Sequence, residues 1–375
     1  MASDADALTA SAERWARDWA EPRLHAWESA GQGLPREAFQ QAGARGLLAV
    51  EVPQALGGLG LPFSAKVRLV RTLARVDFGL AMALVNSHNP AAKLAREGPP
   101  HLAERWVGPL MRGERVGCTA LTEPHAGSDF AAITTLAVRD SDGWRLNGRK
   151  AWITNAASAD VVVLYAQTEP GSGGRGIASF LVEAGRAGFE REAAYALAGQ
   201  HTVGAGGFRL EDYRARDDER LAPPGQAFKA ALASINGART YVAAMCCGMV
   251  DEALRVADAY GSRRSSFGRP LQDHQGWRWR TAQASAELAA CSALVDAAAA
   301  AIDRGDDAQL LAAQAKLLAT QMAERQLPAM AQAMGAEGLR ITQPFSRHLI
   351  GARVAGFVDG SSEMLLERIA AVRTG

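Results

Sequence analysis

C-T-A-L-T-E-P-H-A-G-S-D-F, residues 118–130, is the point where the texture of the chain changes. Before it, apolar residues recur at three- and four-residue steps, as in S-A-E-R-W-A-R-D-W-A (11–20) and K-V-R-L-V-R-T-L-A-R-V (66–76). That spacing puts one apolar stripe on a helix. After it come short β-rich runs: T-T-L-A-V-R-D (134–140), W-R-L-N-G-R-K-A-W-I-T (144–154), D-V-V-V-L-Y-A-Q-T (160–168) and G-I-A-S-F-L-V (176–182). The turn signals S-D-G, N-A-A-S and P-G-S-G-G-R-G separate them. Beyond L-A-P-P-G-Q (221–226) the helical period returns in four long segments, 226–260, 272–303, 306–335 and 361–373. Asp307 stands near the start of the third, and Gly335 and Gly338 follow its end, as start and stop signals should. The order predicts an α+β multidomain chain: an N-terminal α-helical domain (1–117), a middle antiparallel β domain (118–222) and a C-terminal four-helix bundle (223–375). Without βαβ alternation a Rossmann fold is not expected.

Composition narrows the function classes. A chain of 375 residues exceeds one ordinary core, and 48% hydrophobic with 22% charged residues is globular usage. A formal charge of +1 gives no electrostatic reason to expect nucleic acid. Arg, Asp or Glu interrupts each apolar run, so none is expected to reach membrane-spanning length. The start, M-A-S-D-A-D-A-L, is acidic and lacks the basic and apolar regions of a signal peptide. Cys118, Cys246, Cys247 and Cys291 show no metal-ligand spacing and read as small buried residues of a reducing cytoplasm. The seven histidines form no H-E-x-x-H pattern, so metal catalysis is set aside. P-Q-A-L-G-G-L-G-L-P (53–62) lacks the Lys-Ser/Thr of a phosphate loop and reads as a turn; P-G-S-G-G-R-G (170–176), between two strands, reads as a hairpin loop.

Three stretches could carry chemistry. The opening stretch turns at Pro124 and Gly127, exposing successive N–H groups and the Thr122 and Ser128 hydroxyls, which suit carbonyl or phosphate oxygens. K-A-W-I-T-N (150–155) places Trp152 and Thr154 on one face of a strand, an indole beside a hydroxyl, suited to a planar heteroaromatic ring. G-F-V-D-G-S-S-E-M (356–364) places Asp359 just ahead of a helix, where it is either the cap of that helix or a carboxylate with a chemical task.

Together these residues resemble the acyl-CoA dehydrogenase family. T-E-P-H-A-G-S-D and W-I-T-N are similar to its flavin-binding segments. R-S-S-F-G-R-P-L-Q-D-H-Q (264–275), Q-A-M-G-A-E-G-L (332–339) and V-D-G-S-S-E (358–363) follow in the family's order. The resemblance spans nearly the whole chain. It implies FAD as cofactor, with Leu121, Thr122 and Ser128 on the flavin pyrimidine edge and pyrophosphate. Trp152, Ile153 and Thr154 would lie against the isoalloxazine, Thr154 near its N5. Arg264, Phe267, Gln275, Gln332 and Gly335 would grip the FAD of a neighbouring subunit in a homodimer or homotetramer. An arginine fork suits a diphosphate. Ser361 and Glu363 would approach the cofactor after the base.

By the same resemblance Asp359 stands where the family carries a glutamate that removes the proton α to a thioester carbonyl. Hydride then passes from Cβ to flavin N5, forming an α,β double bond. Such a base needs a raised pKa in a dry pocket, and the enolate-like charge needs donors at the carbonyl oxygen, which the family takes from the base's own N–H and a flavin ribityl hydroxyl. Here the acid is one methylene shorter. Relatives that place the glutamate before an arginine on the long helix would have it at Ala238, before Arg239, so that route is closed. Arg239 reads as a structural partner of Asp359. Two other departures are H-Q-G-W-R-W-R-T (274–281), read as a solvated arginine face with Trp277 and Trp279 packed inward, and Gly335-Ala336 in place of Gly-Gly.

The implied activity is dehydrogenation of an acyl thioester, carried by coenzyme A or an acyl-carrier protein, with an electron-transfer flavoprotein as acceptor. One alternative keeps the fold as a flavin oxidase or monooxygenase, as in nitroalkane oxidases with an aspartate base. Those carry an arginine seven residues later, where this chain has Leu366. Another is an inactive FAD-binding partner subunit.

Overall fold

The computed structural model describes residues 2–374. The chain divides into two compact units; the first comprises residues up to Pro62, Met82–Leu197 and His201–Ser234, the second Phe63–Ala81, Ala198–Gln200 and the chain from Ile235.

In the first unit, helices α1 (Ala2–Trp15), α2 (Leu24–Ala30) and α3 (Arg36–Gly43) precede a turn-rich stretch, and α5 (Phe78–Glu97) and α6 (Pro100–Met111) lead into the sheet. Its strands are β1 (Gly117–Ala120), β2 (Leu136–Asp140), β3 (Gly143–Ile153), β4 (Val161–Gln167), β5 (Ile177–Glu183), β6 (Phe189–Arg191), β7 (Gly206–Ala215) and β8 (Arg220–Ala222). They run in the order β6-β7-β3-β2-β4-β5-β8, with β1 added beside β4. The pairing is antiparallel except where β1 runs parallel to β4 (Gly117 opposite Val161) and β2 touches β4. Every residue of V-V-V-L-Y-A-Q in β4 is buried, as a strand covered on both faces requires. Val162, Leu164, Phe180, Phe208, Leu210 and Tyr213 share one core cluster. Trp144 meets Phe180 edge-on at 5.4 Å, and the Tyr213 hydroxyl accepts from the Glu183 N–H at 2.8 Å, so the buried phenol is satisfied.

In the second unit, α4 (Phe63–Ala74) packs on α8 (Gln275–Asp303), while α9 (Gln309–Ala333) packs against α8, α10 (Phe345–Phe357) and α11 (Ser362–Thr374). The long α7 (Gln226–Arg263) contributes its stretch from Ile235 and ends before the short hairpin β9 (Ser265–Ser266) and β10 (Arg269–Pro270). Gly248 lets α7 meet α4 closely: a Cβ there would fall 2.1 Å from the Arg71 carbonyl oxygen. The four cysteines are free and buried.

Several expectations need correction. Strand β7 and helix α10 were not anticipated, and the sheet has a parallel pair. Trp277 is buried against Gly261, but Trp279 is exposed, so only one tryptophan of that segment packs inward. Helix α8 is long and apolar enough, by length and composition, to cross a membrane, contrary to the expectation that charges break every such run. Its central alanine-rich stretch carries only Glu287 and Asp296. Within its unit, α8 is tied to α9 by Arg325 donating to Glu287 at 3.1 Å.

Candidate active site

The loop after β1 is organised by a buried ion pair. Lys150 Nζ, on β3, donates to Glu123 Oε1 at 2.9 Å and to the Leu121 carbonyl at 2.8 Å. Glu123 also accepts from the Thr134 N–H and hydroxyl and from the Thr135 N–H, at 2.7, 3.0 and 2.9 Å. Both charged side chains are fully buried. Burial works against the Glu123 carboxylate, but Lys150 and the donors around it prevail and hold its pKa down at about 2. Burial dominates at Lys150, whose pKa falls to about 8 despite Glu123. The pair fixes the loop so that its outer residues are left for other partners. Among the described residues the Thr122, Ser128 and Thr154 hydroxyls have no hydrogen-bond partner. Gly127 has open space where a Cβ would stand.

Beside this loop, β3 bulges between Lys150 and Ile153, and Trp152 sits in the bulge at φ 59. A bulky side chain in left-handed backbone is strained by about 1–3 kcal/mol and persists only where surroundings impose it. The bulge breaks strict alternation and turns the indole outward: Trp152 is 62% exposed and leans on Tyr195, with ring centroids 4.6 Å apart. Ile153, by contrast, lies in the β core, so only its main chain is available to a cofactor. Leu121 is half-buried and its carbonyl is already taken by Lys150. A flat ring against an outward indole, with free hydroxyls and an open glycine loop nearby, fits the chemistry of a flavin.

The second unit holds the remaining candidates. Arg264, Gln275 and Gln332 are exposed, and Phe267 is 95% exposed at φ 49. Gly335, at φ 62, has no atom near the position of a Cβ. Ser361 is the cap of α11: its Oγ accepts from the Met364 N–H at 3.4 Å and its carbonyl from the Leu365 N–H at 3.0 Å. Glu363, exposed in the first turn of α11, is held below the usual carboxylate range by N-terminal N–H donation and by Ser361.

Asp359 is therefore not the cap. It lies in the turn between α10 and α11 at φ 53, followed by Gly360 at φ 100. Arg239 Nε donates to the Asp359 carbonyl at 3.1 Å, and Lys316 Nζ to the Gly360 carbonyl. Among the described residues the Asp359 carboxylate accepts no hydrogen bond. The residue keeps some surface open, yet desolvation dominates its carboxyl and raises the pKa, with Lys316 and Arg239 pulling the other way. A partnerless carboxylate with a raised pKa, near two cations, is equipped to take a proton. Sequence reasoning missed Glu123, Lys150 and Lys316. Only for Lys316, a lone charge in the apolar run L-L-A-A-Q-A-K-L-L-A (310–319), did the sequence hint at the role.

The whole chain aligns with known proteins. The acyl-CoA dehydrogenase N-terminal, middle and C-terminal domains match residues 2–114, 118–213 and 225–373. The mitochondrial short-chain specific acyl-CoA dehydrogenase of Bos taurus is 32% identical, over 93% of this chain and 85% of its own. The structure of butyryl-CoA dehydrogenase from Megasphaera elsdenii superposes with a TM-score of 0.94 at 27% identity, covering 99% of this chain and 98% of that one. A glutaryl-CoA dehydrogenase from Mycobacterium smegmatis, solved with FADH2, superposes with a TM-score of 0.92 at 25% identity, covering 99% and 95%. With three domain matches in order along nearly its whole length, the chain belongs to the acyl-CoA dehydrogenase family and is a flavoprotein oxidoreductase that uses FAD.

Proposed function

We propose that this protein dehydrogenates a short-chain acyl-CoA between Cα and Cβ, with Asp359 as the base. The observation that carries the reading is the Asp359 carboxylate itself: buried enough to be basic, yet without a hydrogen-bond partner among the described residues. A carboxylate that serves only structure is normally paired or capping. Here capping is done by Ser361. The Asp359 N–H also has no acceptor among the described residues and is available to a thioester carbonyl oxygen, where enolate charge develops. The shorter side chain demands that the α-carbon come closer than a glutamate would require, since a misplacement of about 1 Å costs about 10²-fold. This favours small acyl groups, in keeping with the short-chain and butyryl-CoA names of the relatives.

Thr122, Ser128, Trp152 and Thr154 would hold FAD, with the main chain of Leu121 and Ile153. When bound, the cofactor supplies a hydride acceptor. Arg264, Phe267, Gln275, Gln332, Gly335, Ser361 and Glu363 would complete its binding, the exposed ones among them from a second copy of the chain, which makes a homodimer or homotetramer the working form. Electrons would leave to an electron-transfer flavoprotein, coenzyme A rather than a carrier protein would carry the acyl group, and three domains would divide near residues 117 and 222. The four buried free thiols suit a reducing compartment.

The test is anaerobic mixing of the FAD-loaded protein with acyl-CoAs of increasing length, watching the flavin absorbance. Short chains should bleach it, and Asp359→Asn should abolish bleaching while retaining FAD. Full reduction of that variant would remove Asp359 from the role of base. An aspartate base also serves nitroalkane oxidases, so rapid oxygen consumption with a nitroalkane and none with thioesters would favour that chemistry instead.

A further inference from the structure

Lys316 stands on α9 beside the small apolar cluster of Ala313, Leu317 and Leu365, and is itself fully buried. Its ammonium reaches one hydrogen-bond acceptor, the Gly360 carbonyl, and among the described residues no carboxylate is in ion-pair contact with it. For helix packing alone this is an expensive choice. A methionine or leucine would fill the same space without desolvating a charge. The residue next to its acceptor is Asp359, whose left-handed backbone must be imposed from outside. Arg239, from α7, grips the carbonyl of that residue, and Lys316 grips the following one.

We propose that Lys316 is a positioning residue for the Asp359 base, closing with Arg239 a two-cation clamp on consecutive carbonyls of the turn. The clamp fixes where the carboxylate points, and the lysine keeps a positive charge near it. This rests on the reading of Asp359 as base. The charged and titratable groups around it are Arg239 and Cys246 on α7, Lys316 on α9 and Arg368 on α11. Of these, Lys316 and Arg239 act on Asp359 directly, whereas Cys246 bears on Lys316 and Arg368 on Arg239. Burial lowers the Lys316 pKa to about 8, with Asp359 countering, so the lysine remains charged near neutrality. Its charge opposes the upward push of burial on Asp359 and holds a larger fraction of the base ionised.

The experiment compares Lys316→Met, Lys316→Gln and Lys316→Arg with wild type, each loaded with FAD and reduced anaerobically by butyryl-CoA across pH. Lys316→Met removes charge and donor, Lys316→Gln removes only the charge, and Lys316→Arg keeps both. Lys316→Met should slow reduction by about 10- to 100-fold through misplacement of the base. Both uncharged variants should move the acid limb of the rate profile upward by about one pH unit. Lys316→Arg should recover most of the rate and the wild-type limb. A second readout needs no turnover: on the acid side, where Lys316 stays protonated, the pH dependence of the unfolding midpoint should differ between wild type and Lys316→Gln, and this acid-side difference should vanish when both carry Asp359→Asn. An acid limb and midpoint profile unmoved in Lys316→Gln, with Asp359→Asn inactive, would overturn the clamp and leave the base in place. A fully active Asp359→Asn would instead overturn the base, while the unfolding cycle would still decide whether the lysine and Asp359 are coupled.

Discussion

Lys150→Met should be among the most damaging single changes in the first unit. It leaves the enclosed Glu123 carboxylate with its three Thr134 and Thr135 donors and, with Lys150 gone, only the exposed His125 imidazole 3.6 Å away as a possible countercharge among the described residues. Breaking a buried pair by removing one partner costs about 3–5 kcal/mol. Losing the donor to the Leu121 carbonyl adds about 1 kcal/mol, and the methionine returns part of this by packing. The net is about 4 kcal/mol, or about 10 °C in the unfolding midpoint of that unit. The pH dependence should also reverse. In wild type the Glu123 pKa of about 2 lies below its unfolded value, so its stabilisation is complete above that value and is lost as pH falls toward about 2. Without Lys150, burial raises the carboxyl instead; its contribution is then greatest below the unfolded value and is lost as pH rises. Lys150→Met should therefore gain stability relative to wild type between pH 8 and pH 5. Replacing Glu123 by Gln as well should restore much of the loss, because no buried charge is then left unpaired. Thermal and urea unfolding followed by tryptophan and flavin fluorescence measure this. A single variant within about 1 kcal/mol of wild type, with an unchanged pH profile, would refute the idea that the pair anchors the loop.

Trp152→Ala removes the outward indole while relieving little of the backbone strain, and should weaken FAD binding by about 10-fold or more, read by fluorescence titration of the cofactor. Ser361→Ala removes the cap of α11 and should cost about 1 kcal/mol, seen by thermal unfolding; a change below about 0.3 kcal/mol would mean that the cap is made by another group. With Asp359 as the proposed base, its raised pKa should place the acid limb of flavin reduction above the ordinary aspartate range, and a limb at or below that range would contradict its role or the burial of its carboxyl.

Much of this was legible in the sequence for local reasons. The strands β2 to β5 announced themselves by β-branched runs between turn residues, and α7, α8, α9 and α11 by length and period. What escaped depended on distance or irregularity. In β7 the alternation of Phe208 and Leu210 is interrupted before Tyr213, at the left-handed Asp212, and two glycines open the run. Helix α10 holds Gly351 and Gly356, which lower its helical signal. The partners Glu123 and Lys150 are 27 residues apart, and Lys316 meets Gly360 across 44, so no short motif contains either pair. Whether Asp359 caps α11 or stands free was a choice composition cannot make; the left-handed turn at Asp359 and Gly360 left the cap to Ser361.

The four thiols have a practical use. Burial pushes Cys118 and Cys247 up to about 12 and Cys246 higher still, so a folded molecule offers alkylating reagents almost no thiolate. Labelling must wait for a unit to open. Cys118 belongs to the sheet-bearing unit, and Cys246, Cys247 and Cys291 belong to the helical one. The polypeptide thus carries its own pair of clocks: timed alkylation followed by peptide mass analysis would time the opening of each half separately, without any engineered probe.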